Sequence, residues 1–389
     1  MRRDSLFIPA LVIAMAIGIT LAWTTYGTND ILFFKSYAVR AGETGVAPLY
    51  RDGAKLVEFH TDWVEQMAHP PGAIHIWRAT LWLEQKTGVA FHVWFRILTT
   101  LALALTALAV SRLVGARAAA VYLLCPAAIL LASFHGNSDP LVVAALIWAV
   151  YFAEQRAPVW LTGLLFAAAC SIKVWPLFLA PAFLLSLTNW RQRILFLATV
   201  PAAWFALGAP YTFQFPMLIL RTVFGYRSIG HWWGLAATVP GYDRFGTILS
   251  FAAVLAITVY LHSKGTRLYG VVGGAIAVFL VFTPGFGVNY LAWILPFCLL
   301  LEWRSIAGIY FSSSVLLLIA YTHWSGGFPW YFADLLRPGA ALSWSVIYAS
   351  TICWVTLLLA VLSATPALPW IFARPAPRRK TPLPVVTAR

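Results

Sequence analysis

Charged residues are scarce in this sequence, and acidic ones are the scarcest: Asp and Glu together number 13 among 389 residues. All charged residues amount to 10% of the chain, whereas hydrophobic residues amount to 61%, and the mean hydropathy is +0.79. A chain of this composition cannot cover its apolar side chains with polar ones in water. The composition therefore excludes an ordinary soluble protein and predicts an integral membrane protein.

Cysteine is also rare, and no pair of cysteines has CxxC spacing. Each of the four stands alone inside an apolar run: Cys125, Cys170, Cys298 and Cys353. This pattern favours four small hydrophobic side chains over a disulfide framework or a cysteine metal site.

Long polar stretches are missing as well, so there is no room for a large soluble domain. Apolar runs recur along the chain and predict an all-α polytopic bundle of about twelve membrane helices within residues 1–365. The predicted spans are 6–23, 91–111, 118–134, 140–153, 158–171, 174–187, 194–209, 246–261, 268–282, 288–301, 305–321 and 342–362. The Pro- and Arg-rich residues 366–389 are expected to form a disordered cytoplasmic tail.

The net charge of +14 could indicate a nucleic-acid partner, but its distribution argues otherwise. If Arg2 and Arg3 lie in the cytoplasm, alternation of the spans places most basic turns and the basic tail on that side, and the opposite face is nearly neutral. This is the positive-inside bias of membrane proteins. We therefore predict a multi-pass protein of the cell (inner) membrane with both termini in the cytoplasm and no nucleic-acid partner.

Two segments are ambiguous, and the predicted distribution of basic residues decides the first of them. A span at 71–87 would invert every later loop, and this segment contains His75, Arg78 and Glu84, so we predict a helix at the outer interface. The run from Leu6 to Trp23 lacks a small-residue cleavage site after it and is expected to be a retained signal-anchor.

With this topology, the outer face receives three long segments, 24–90, 211–244 and 322–341. All acidic residues except Asp4, Glu154 and Glu302 lie on that face or at its margin, as do all histidines except His262. Any chemistry is therefore expected on the extracytoplasmic side.

Asp30 is the acidic residue of greatest interest, because it follows the first span closely. Thr28, Asn29 and Asp30 are typical of a helix start, where a carboxylate is stabilised by the helix dipole. Alternatively, Asp30 is a catalytic base whose proton affinity is raised by partial burial at the membrane surface. The residues alone leave both interpretations open.

Four further polar segments follow Asp30 on the same predicted face. They are His69-Pro70-Pro71-Gly72, Phe134-His135-Gly136-Asn137-Ser138-Asp139-Pro140, Ser171-Ile172-Lys173-Val174-Trp175-Pro176, and Thr283-Pro284-Gly285-Phe286-Gly287-Val288-Asn289-Tyr290 continuing to Pro296. In this order they resemble the GT-C superfamily of membrane glycosyltransferases. Within it the chain is most similar to the polyprenyl-phosphate-mannose-dependent mannosyltransferases of glycosyltransferase family 87 (DUF2029). The resemblance covers about residues 30–296.

The resemblance implies transfer of a hexose, with mannose favoured, from a polyprenyl-phosphate donor to an acceptor hydroxyl of a glycolipid or polysaccharide. It implies inversion at the anomeric carbon, with Asp30 as the general base. A phosphate is already a good leaving group, so the paired carboxylates of glycoside hydrolysis are not required. No cofactor is expected, and a divalent cation is possible but not favoured.

Other outer-face residues are candidates for binding the substrates. For the donor phosphate we select Lys173 first, then His69, Arg221, Arg227 and Arg337; for the sugar or acceptor we select His135, Asn137, Asp139, His231, Asn289 and Tyr290. Two simpler interpretations compete: Lys173 extends its amine to the interface, and Asp139 caps a helix that Pro140 begins. Glu58, Asp62 and Glu65 are expected on a solvated helix face.

A different class of function also fits a polytopic protein: a transporter or flippase of lipids or lipid-linked sugars. Such proteins usually place ionisable residues within the spans and show related halves. This chain concentrates its charges in the outer segments and shows no internal repeat. A non-catalytic binding protein for lipid-linked sugars, or an enzyme resembling O-antigen ligases or polymerases, is a further alternative.

Overall fold

The computed structural model describes residues 6–226, 230–338, 340 and 342–371, with the backbone alone for 364–371. Helices dominate it, as the sequence predicts. They are α1 Phe7–Thr24, α2 Asn29–Glu43, α3 Val46–Asp52, α4 Pro71–Thr87, α5 Phe91–Leu113, α6 Ala116–Leu123, α7 Pro126–Leu130, α8 Asp139–Glu154, α9 Val159–Ile172, α10 Ala180–Ser186, α11 Trp190–Leu207, α12 Tyr211–Gln214, α13 Pro216–Gly225, α14 Gly234–Thr238, α15 Gly246–Ser263, α16 Leu268–Phe282, α17 Leu291–Ile294, α18 Trp303–Ser325 and α19 Trp344–Ile371. A π-helical turn, Leu131–His135, precedes α8, and 3-10 turns lie at Trp175–Leu179, Tyr242–Arg244, Val288–Tyr290 and Cys298–Leu300.

Five of these helices are long and apolar enough to cross a membrane, which indicates a multi-pass membrane protein. They are α1, α5, α15, α18 and the part of α19 from Trp344 to Ser363. A sixth span results if α6 is taken together with Pro126–His135, although the two are bent by 63°. The prediction of about twelve regular spans is therefore not confirmed within the described residues. Several expected spans form shorter helices, such as Val159–Ile172 and Leu268–Phe282, which at 1.5 Å per residue fall short of a ~30 Å hydrocarbon layer.

The predicted span at 288–301 differs most from expectation. Its residues form two 3-10 turns flanking the four-residue helix α17, and most of them, including all of 291–299, are buried inside the bundle. Pro296 cannot donate the backbone hydrogen bond that a continuous helix requires. This segment is therefore a buried connection, and it brings polar side chains into the interior.

The outer segments 24–90 and 322–341 are joined by a short parallel pairing of β1 (Gly27–Thr28) with β4 (Phe332–Ala333). The Tyr331 carbonyl accepts a further hydrogen bond from the backbone N–H of Tyr26, at 2.7 Å. The segment that follows α1 and the segment that follows α18 thus meet immediately before Asp30.

The segment before α4 is not the helix that the spacing of Glu58, Asp62 and Glu65 predicts. An antiparallel pair, β2 (Ala54–Lys55) and β3 (Val64–Glu65), encloses a loop instead. Glu58 therefore does not lie on a solvated helix face: its carboxylate accepts from Tyr26 Oη and Lys35 Nζ, each at 2.7 Å. The prediction of helix α4 at 71–87 is confirmed, with Pro71 at its first position.

The end of α1 is fixed by a buried arginine of α5. The Arg96 guanidinium donates to the Ala22 carbonyl at 2.7 Å, to the Thr25 carbonyl and to Thr25 Oγ1 at 2.6 Å. The Arg96 side chain is fully buried. It satisfies carbonyls that the last turn of a helix leaves without partners.

The opposite end of the bundle has a separate ion pair. Glu154, at the end of α8, pairs with Arg267, which precedes α16, and accepts from the Tyr269 N–H at 2.9 Å. Arg267 also donates to the Leu113 carbonyl at the end of α5. Three helix ends that the sequence predicts on the cytoplasmic face, those of α5, α8 and α16, are therefore neighbours. Helix α19 continues to Ile371, beyond the expected tail boundary at 366; the rest of the predicted tail lies outside the described residues.

Candidate functional site

Asp30 lies in the first turn of α2, immediately after the strand pairing that joins the two outer segments. Thr28 is the N-cap, and its Oγ1 accepts from the Asp30 N–H at 3.4 Å. The same hydroxyl donates to the His135 carbonyl at 2.7 Å. The helix-start interpretation is thus correct for Thr28, whose side chain does the capping, and the Asp30 carboxylate is directed elsewhere.

The Asp30 carboxylate is held through one oxygen. Oδ2 accepts from His135 Nε2 at 3.0 Å and from Asn137 Nδ2. Within the part of the chain that the structure describes, Oδ1 accepts no hydrogen bond, and 27% of the side chain is exposed. Asp30 therefore has a fixed orientation, a partly exposed side chain and one oxygen that accepts no hydrogen bond from the described residues.

His135 connects this carboxylate to the interior. Its Nδ1 lies 2.9 Å from the Tyr321 hydroxyl near the end of α18. When Asp30 is ionised it can only accept, so Nε2 carries the proton, and in a neutral ring Nδ1 accepts from Tyr321. Gly136 follows with a φ of +75°, and a Cβ there would meet the Ile31 side chain at 2.2 Å. The turn therefore needs glycine in order to bring His135 and Asn137 to the same carboxylate.

Asn137 lies between two charged groups. Its amide nitrogen donates to Asp30, and its Oδ1 accepts from Lys173 Nζ at 2.7 Å and from the Asp139 N–H at 3.0 Å. Because a single amide separates a carboxylate from an ammonium, both charges lie at one site. Asn137 is itself 5% exposed, so its position is set by packing.

Asp139 is completely buried and binds three side chains. Oδ2 accepts from Lys173 Nζ at 2.9 Å and from Asn289 Nδ2, and Oδ1 accepts from Trp293 Nε1 at 2.9 Å. The interpretation of Asp139 as a plain helix cap is wrong, because its carboxylate turns inward to the buried 288–301 segment. Lys173 likewise does not extend to the interface; its amine is directed at Asp139 and Asn137.

The electrostatics of Asp30 differ from the sequence-based expectation. Burial raises the pKa of Asp30, but the hydrogen bond and charge of His135, the charge of Lys173 and the Asn137 amide outweigh it and lower the pKa from 3.8 to about 2. The expected increase in proton affinity is therefore wrong. Asp30 is therefore ionised near neutral pH, and such a carboxylate is suited to aligning a hydroxyl and accepting its proton only as that hydroxyl reacts.

His69 lies close enough to this cluster to be influenced by the charges of Lys173, Asp30 and Asp139. Its ring packs edge-on against Phe34 and Trp77. Burial, together with Lys173, lowers the pKa of His69 to about 3. The ring is consequently neutral near neutral pH and carries no positive charge, and it is hydrogen-bonded to the Ile172 backbone.

The remaining predicted residues lie outside this hydrogen-bonded cluster. His231 is exposed with a φ of +68°, although its neighbour Gly230 bridges to Gly285 in the turn before Asn289. Tyr290 stacks on Trp293 with ring centroids 4.1 Å apart.

Two predicted arginines have no part in the cluster either. Arg221 is exposed on α13, and Arg337 donates to the His323 carbonyl at 2.9 Å. Arg227 lies outside the described residues.

Two contributors were not selected from the sequence, Tyr321 and Trp293. Trp293 stands in a polar, proline-containing segment that the sequence did single out, four residues after Asn289, which is one helical turn. Tyr321 lies at the end of an apolar run and carries no local signal.

Metal ligands are not concentrated at the site. Among the described residues, no group of three or more His, Cys, Asp and Glu side chains is arranged to hold a metal ion. Metal independence stays a prediction. All four cysteines are free and buried, as the sequence predicts.

The fold is similar to that of a protein of solved structure, ArnT. ArnT from Cupriavidus metallidurans bound to undecaprenyl phosphate aligns with a TM-score of 0.50 and 13% identity, covering 94% of this chain and 77% of that chain. ArnT from the same organism in the apo state aligns with a TM-score of 0.49 and 14% identity over the same shares. No family model matches this sequence, and no curated protein matches it. At this identity the similarity shows that the chain shares its overall fold with ArnT.

Proposed function

We propose that this protein is a membrane glycosyltransferase. It transfers a hexose, with mannose favoured, from a polyprenyl-phosphate donor to an acceptor hydroxyl of a glycolipid or polysaccharide, with inversion. The observation that carries the proposal is the connected pair of Asp30 and Lys173, which share Asn137 as a hydrogen-bonding partner. A base on one side of an anomeric carbon and a cation near the departing phosphate are what this reaction requires.

The fold supports the donor class. ArnT, which shares this fold, was crystallised with undecaprenyl phosphate, a polyprenyl phosphate. Four polar segments meet at one cluster, and they follow one another in the order of the GT-C-like motifs. They contain Asp30, His135 to Asp139, Lys173 and Asn289. Membership of glycosyltransferase family 87 and mannose as the sugar stay predictions.

In the proposed reaction, the acceptor hydroxyl donates a hydrogen bond to Asp30 Oδ1. As the acceptor oxygen forms its bond to C1, its proton passes to Asp30, and the bond between C1 and the phosphate oxygen breaks. The electron pair of that bond leaves with the polyprenyl phosphate. A carboxylate with a pKa of about 2 is a weak base, so the proton moves only when the attacking oxygen has become strongly acidic.

Lys173 is proposed as the group that stabilises the leaving phosphate. Its ammonium has three N–H donors, and Asn137 and Asp139 engage two of them. The third donor remains for an anion, and 14% of the side chain is exposed. His69, held nearby by its hydrogen bond to the Ile172 backbone, adds no positive charge.

We further propose that the site faces the extracytoplasmic side of the inner membrane. Asp30 follows the end of α1, Lys173 follows the end of α9, and His135 to Asp139 lead into the first turn of α8. These ends belong to one face in the positive-inside topology. The Glu154–Arg267 pair belongs to the opposite face.

The proposal is tested by reconstituting the full chain in liposomes with radiolabelled polyprenyl-phosphate mannose and candidate glycolipid acceptors. We expect labelled product from the wild type and a loss of about 10²- to 10⁴-fold in Asp30→Asn, because a general base contributes about this much. Asp62→Asn is the matched control, since Asp62 is a fully exposed acid of the same outer segment. We expect it to retain wild-type transfer.

Two outcomes would contradict the proposal. Near-full transfer by Asp30→Asn would remove the assigned base, and movement of the labelled lipid across the bilayer without product would indicate a transporter or flippase. The same assay with EDTA, followed by Mg²⁺ or Mn²⁺, tests the expected independence from divalent cations.

A further inference from the structure

A second polar cavity lies beside α2, apart from the Asp30 cluster. Its volume is about 430 Å³, within the range of ~300–1,000 Å³ usual for small-molecule sites. The lining residues come from the outer segments and from the start of α5: Tyr26, Lys35, Glu58, Phe59, Glu84, Ala90, His92 and Tyr331. None of them takes part in the proposed transfer chemistry.

The charged groups of this cavity form one connected set. Lys35 Nζ donates to Glu58 Oε1 at 2.7 Å and to Glu84 Oε1 at 3.0 Å, while Tyr26 Oη donates to Glu58 Oε2 at 2.7 Å. Burial raises the pKa of Glu58, but the hydrogen bonds from Lys35 and Tyr26 lower it overall. Two carboxylates against one ammonium leave a net negative charge, so the cavity disfavours phosphates and other anions.

The cavity nevertheless has a carboxylate oxygen that can accept hydrogen bonds from a ligand. In the described part of the chain, Glu84 Oε2 accepts no hydrogen bond, since Lys35 and the Phe91 N–H both bind Oε1. The side chains of Glu58 and Glu84 are 34% and 21% exposed. Carboxylate oxygens with free lone pairs are suitable acceptors for the hydroxyl groups of a ligand.

Aromatic rings form the rest of the wall. Tyr26 contacts the His92 ring at a centroid distance of 4.9 Å and the Phe59 ring at 5.1 Å. Phe59 stacks on Phe332 at 4.5 Å and is 51% exposed, and Tyr331 is 56% exposed. Phe59 also has a φ of +53°, a conformation that is costly for a bulky residue and persists where its surroundings impose it.

The cavity and the Asp30 cluster share their supporting elements. Tyr26 precedes β1, which leads directly to Asp30, and Lys35 lies further along α2. Tyr331 precedes β4, the partner of β1. The loop containing Phe59 is also tied to this region, because His60 Nε2 lies 2.6 Å from Asp334 Oδ2, and Asp334 Oδ1 accepts from Asn29 at 3.0 Å.

We propose that this cavity binds an uncharged sugar ring of the acceptor. Exposed aromatic faces combined with carboxylate acceptors fit a neutral polyhydroxyl ligand, since the rings cover its apolar face and the carboxylates accept from its hydroxyls. The assignment of this sugar as the acceptor rests on the proposed function. The binding of a neutral sugar in the cavity does not.

Binding is tested first without any transfer assay. The detergent-purified full chain is titrated with methyl α-mannoside and, separately, with mannose 1-phosphate, and saturation-transfer NMR reports the bound sugar. We expect the neutral glycoside to bind and Tyr331→Ala to weaken it about 3- to 10-fold through loss of a stacking face. Glu58→Gln should also weaken it, whereas Asp62→Asn, which replaces a fully exposed acid that does not line the cavity, should leave it unchanged.

Phe328→Ala is the matched control, because Phe328 is a 79% exposed aromatic residue of the same outer segment and does not line the cavity. Equal binding by Tyr331→Ala and the wild type, or preferential binding of the phosphate at this cavity, would overturn the inference. A loss in Phe328→Ala equal to that in Tyr331→Ala would do the same, because binding would then not depend on the cavity.

The acceptor role is tested in the transfer assay. We expect Tyr331→Ala to raise the KM for the acceptor about 3- to 10-fold while the KM for the donor stays unchanged. If transfer proceeds but the acceptor KM is unaltered, the cavity is not the acceptor site and the proposed function stands. If no transfer occurs and glycoside binding still depends on Tyr331, the proposed function fails and the sugar site stands.

Discussion

The central polar cluster has two halves, each built around an aspartate. In the half that we call reactive, one oxygen of Asp30 accepts no hydrogen bond from the described residues; in the half that we call anchoring, the Asp139 side chain has no exposed surface. The reactive half comprises Asp30, His135 and Tyr321; the anchoring half comprises Asp139, Lys173, Asn289 and Trp293; Asn137 joins them.

The difference shows that exposure separates the two roles better than position in the sequence. Both aspartates follow a cap-type residue at a helix start, and both are bound by an amide side chain. Asp30 is 27% exposed through its side chain, whereas Asp139 is 0% exposed and ties together three segments of the chain. The first carboxylate is partly exposed, as the proposed role of Asp30 requires, and the second is enclosed by the fold.

The largest effect on stability is expected from breaking the anchoring half. Lys173→Met leaves the Asp139 carboxylate buried without its counter-charge, which should reduce the free energy of unfolding by about 3–5 kcal/mol. Thermal unfolding in detergent can be measured with a thiol-reactive dye, because all four cysteines are buried in the folded protein.

Lys55→Met provides the control for this measurement. Lys55 is 67% exposed and lies 4.0 Å from a fully exposed Asp62, so its removal should change stability by less than about 1 kcal/mol. Adding Asp139→Asn to Lys173→Met should restore part of the loss. An equally stable Lys173→Met variant would show that the anchoring half does not support the fold.

A smaller effect, on the rate of transfer, is expected from removing the hydrogen bond between Tyr321 and His135 in the reactive half. Tyr321→Phe keeps the ring but removes the hydroxyl that lies 2.9 Å from His135 Nδ1. Since one hydrogen bond contributes about 0.5–1.5 kcal/mol, we expect kcat to fall about 3- to 10-fold with little change in either KM. Steady-state transfer kinetics measure this, with Tyr348→Phe, an exposed tyrosine of α19, as the control. A rise in KM with unchanged kcat would place Tyr321 in substrate binding instead.

The smallest effect is a change in the pH profile. The pKa of Asp30 is lowered to about 2, so its ionised form contributes stability that is present above its ordinary value of 3.8 and is lost as the pH falls through about 2. Transfer should therefore show no acid limb from Asp30 while the protein stays folded. His135→Ala removes the largest lowering influence, so the pKa of Asp30 should rise and an acid limb should appear. An acid limb in the wild type that His135→Ala abolishes would assign the titration to His135.

Much of the site could be predicted from the order of polar segments along the chain. Asp30, His135, Asn137, Lys173 and Asn289 lie at the ends of apolar runs on one predicted face, and the structure joins them in one cluster. Spacing indicated which face they occupy because membrane helices alternate in direction.

The hydrogen-bonding partners that lie far away in the sequence could not be predicted in this way. Tyr321 reaches His135 across 186 positions, and Trp293 reaches Asp139 across 154. The inward turn of Asp139 depends on the 288–301 segment being irregular, and its apolar composition concealed this. Glu58 was misplaced for a similar reason: a helical spacing of acids occurs in a loop whose partners, Tyr26 and Lys35, belong to another part of the chain.

Arg96 fixes the end of α1, and this affects how Asp30 is positioned when α1 moves. Helix α1 is mostly exposed along its length, so it is the element most free to tilt when the thickness of the bilayer changes. Its last carbonyls are held by a guanidinium that belongs to the better-buried α5, so any tilt must pivot about that end. Asp30, the proposed base, lies six residues beyond the end of α1, so we expect the geometry around it to be maintained in membranes of different thickness.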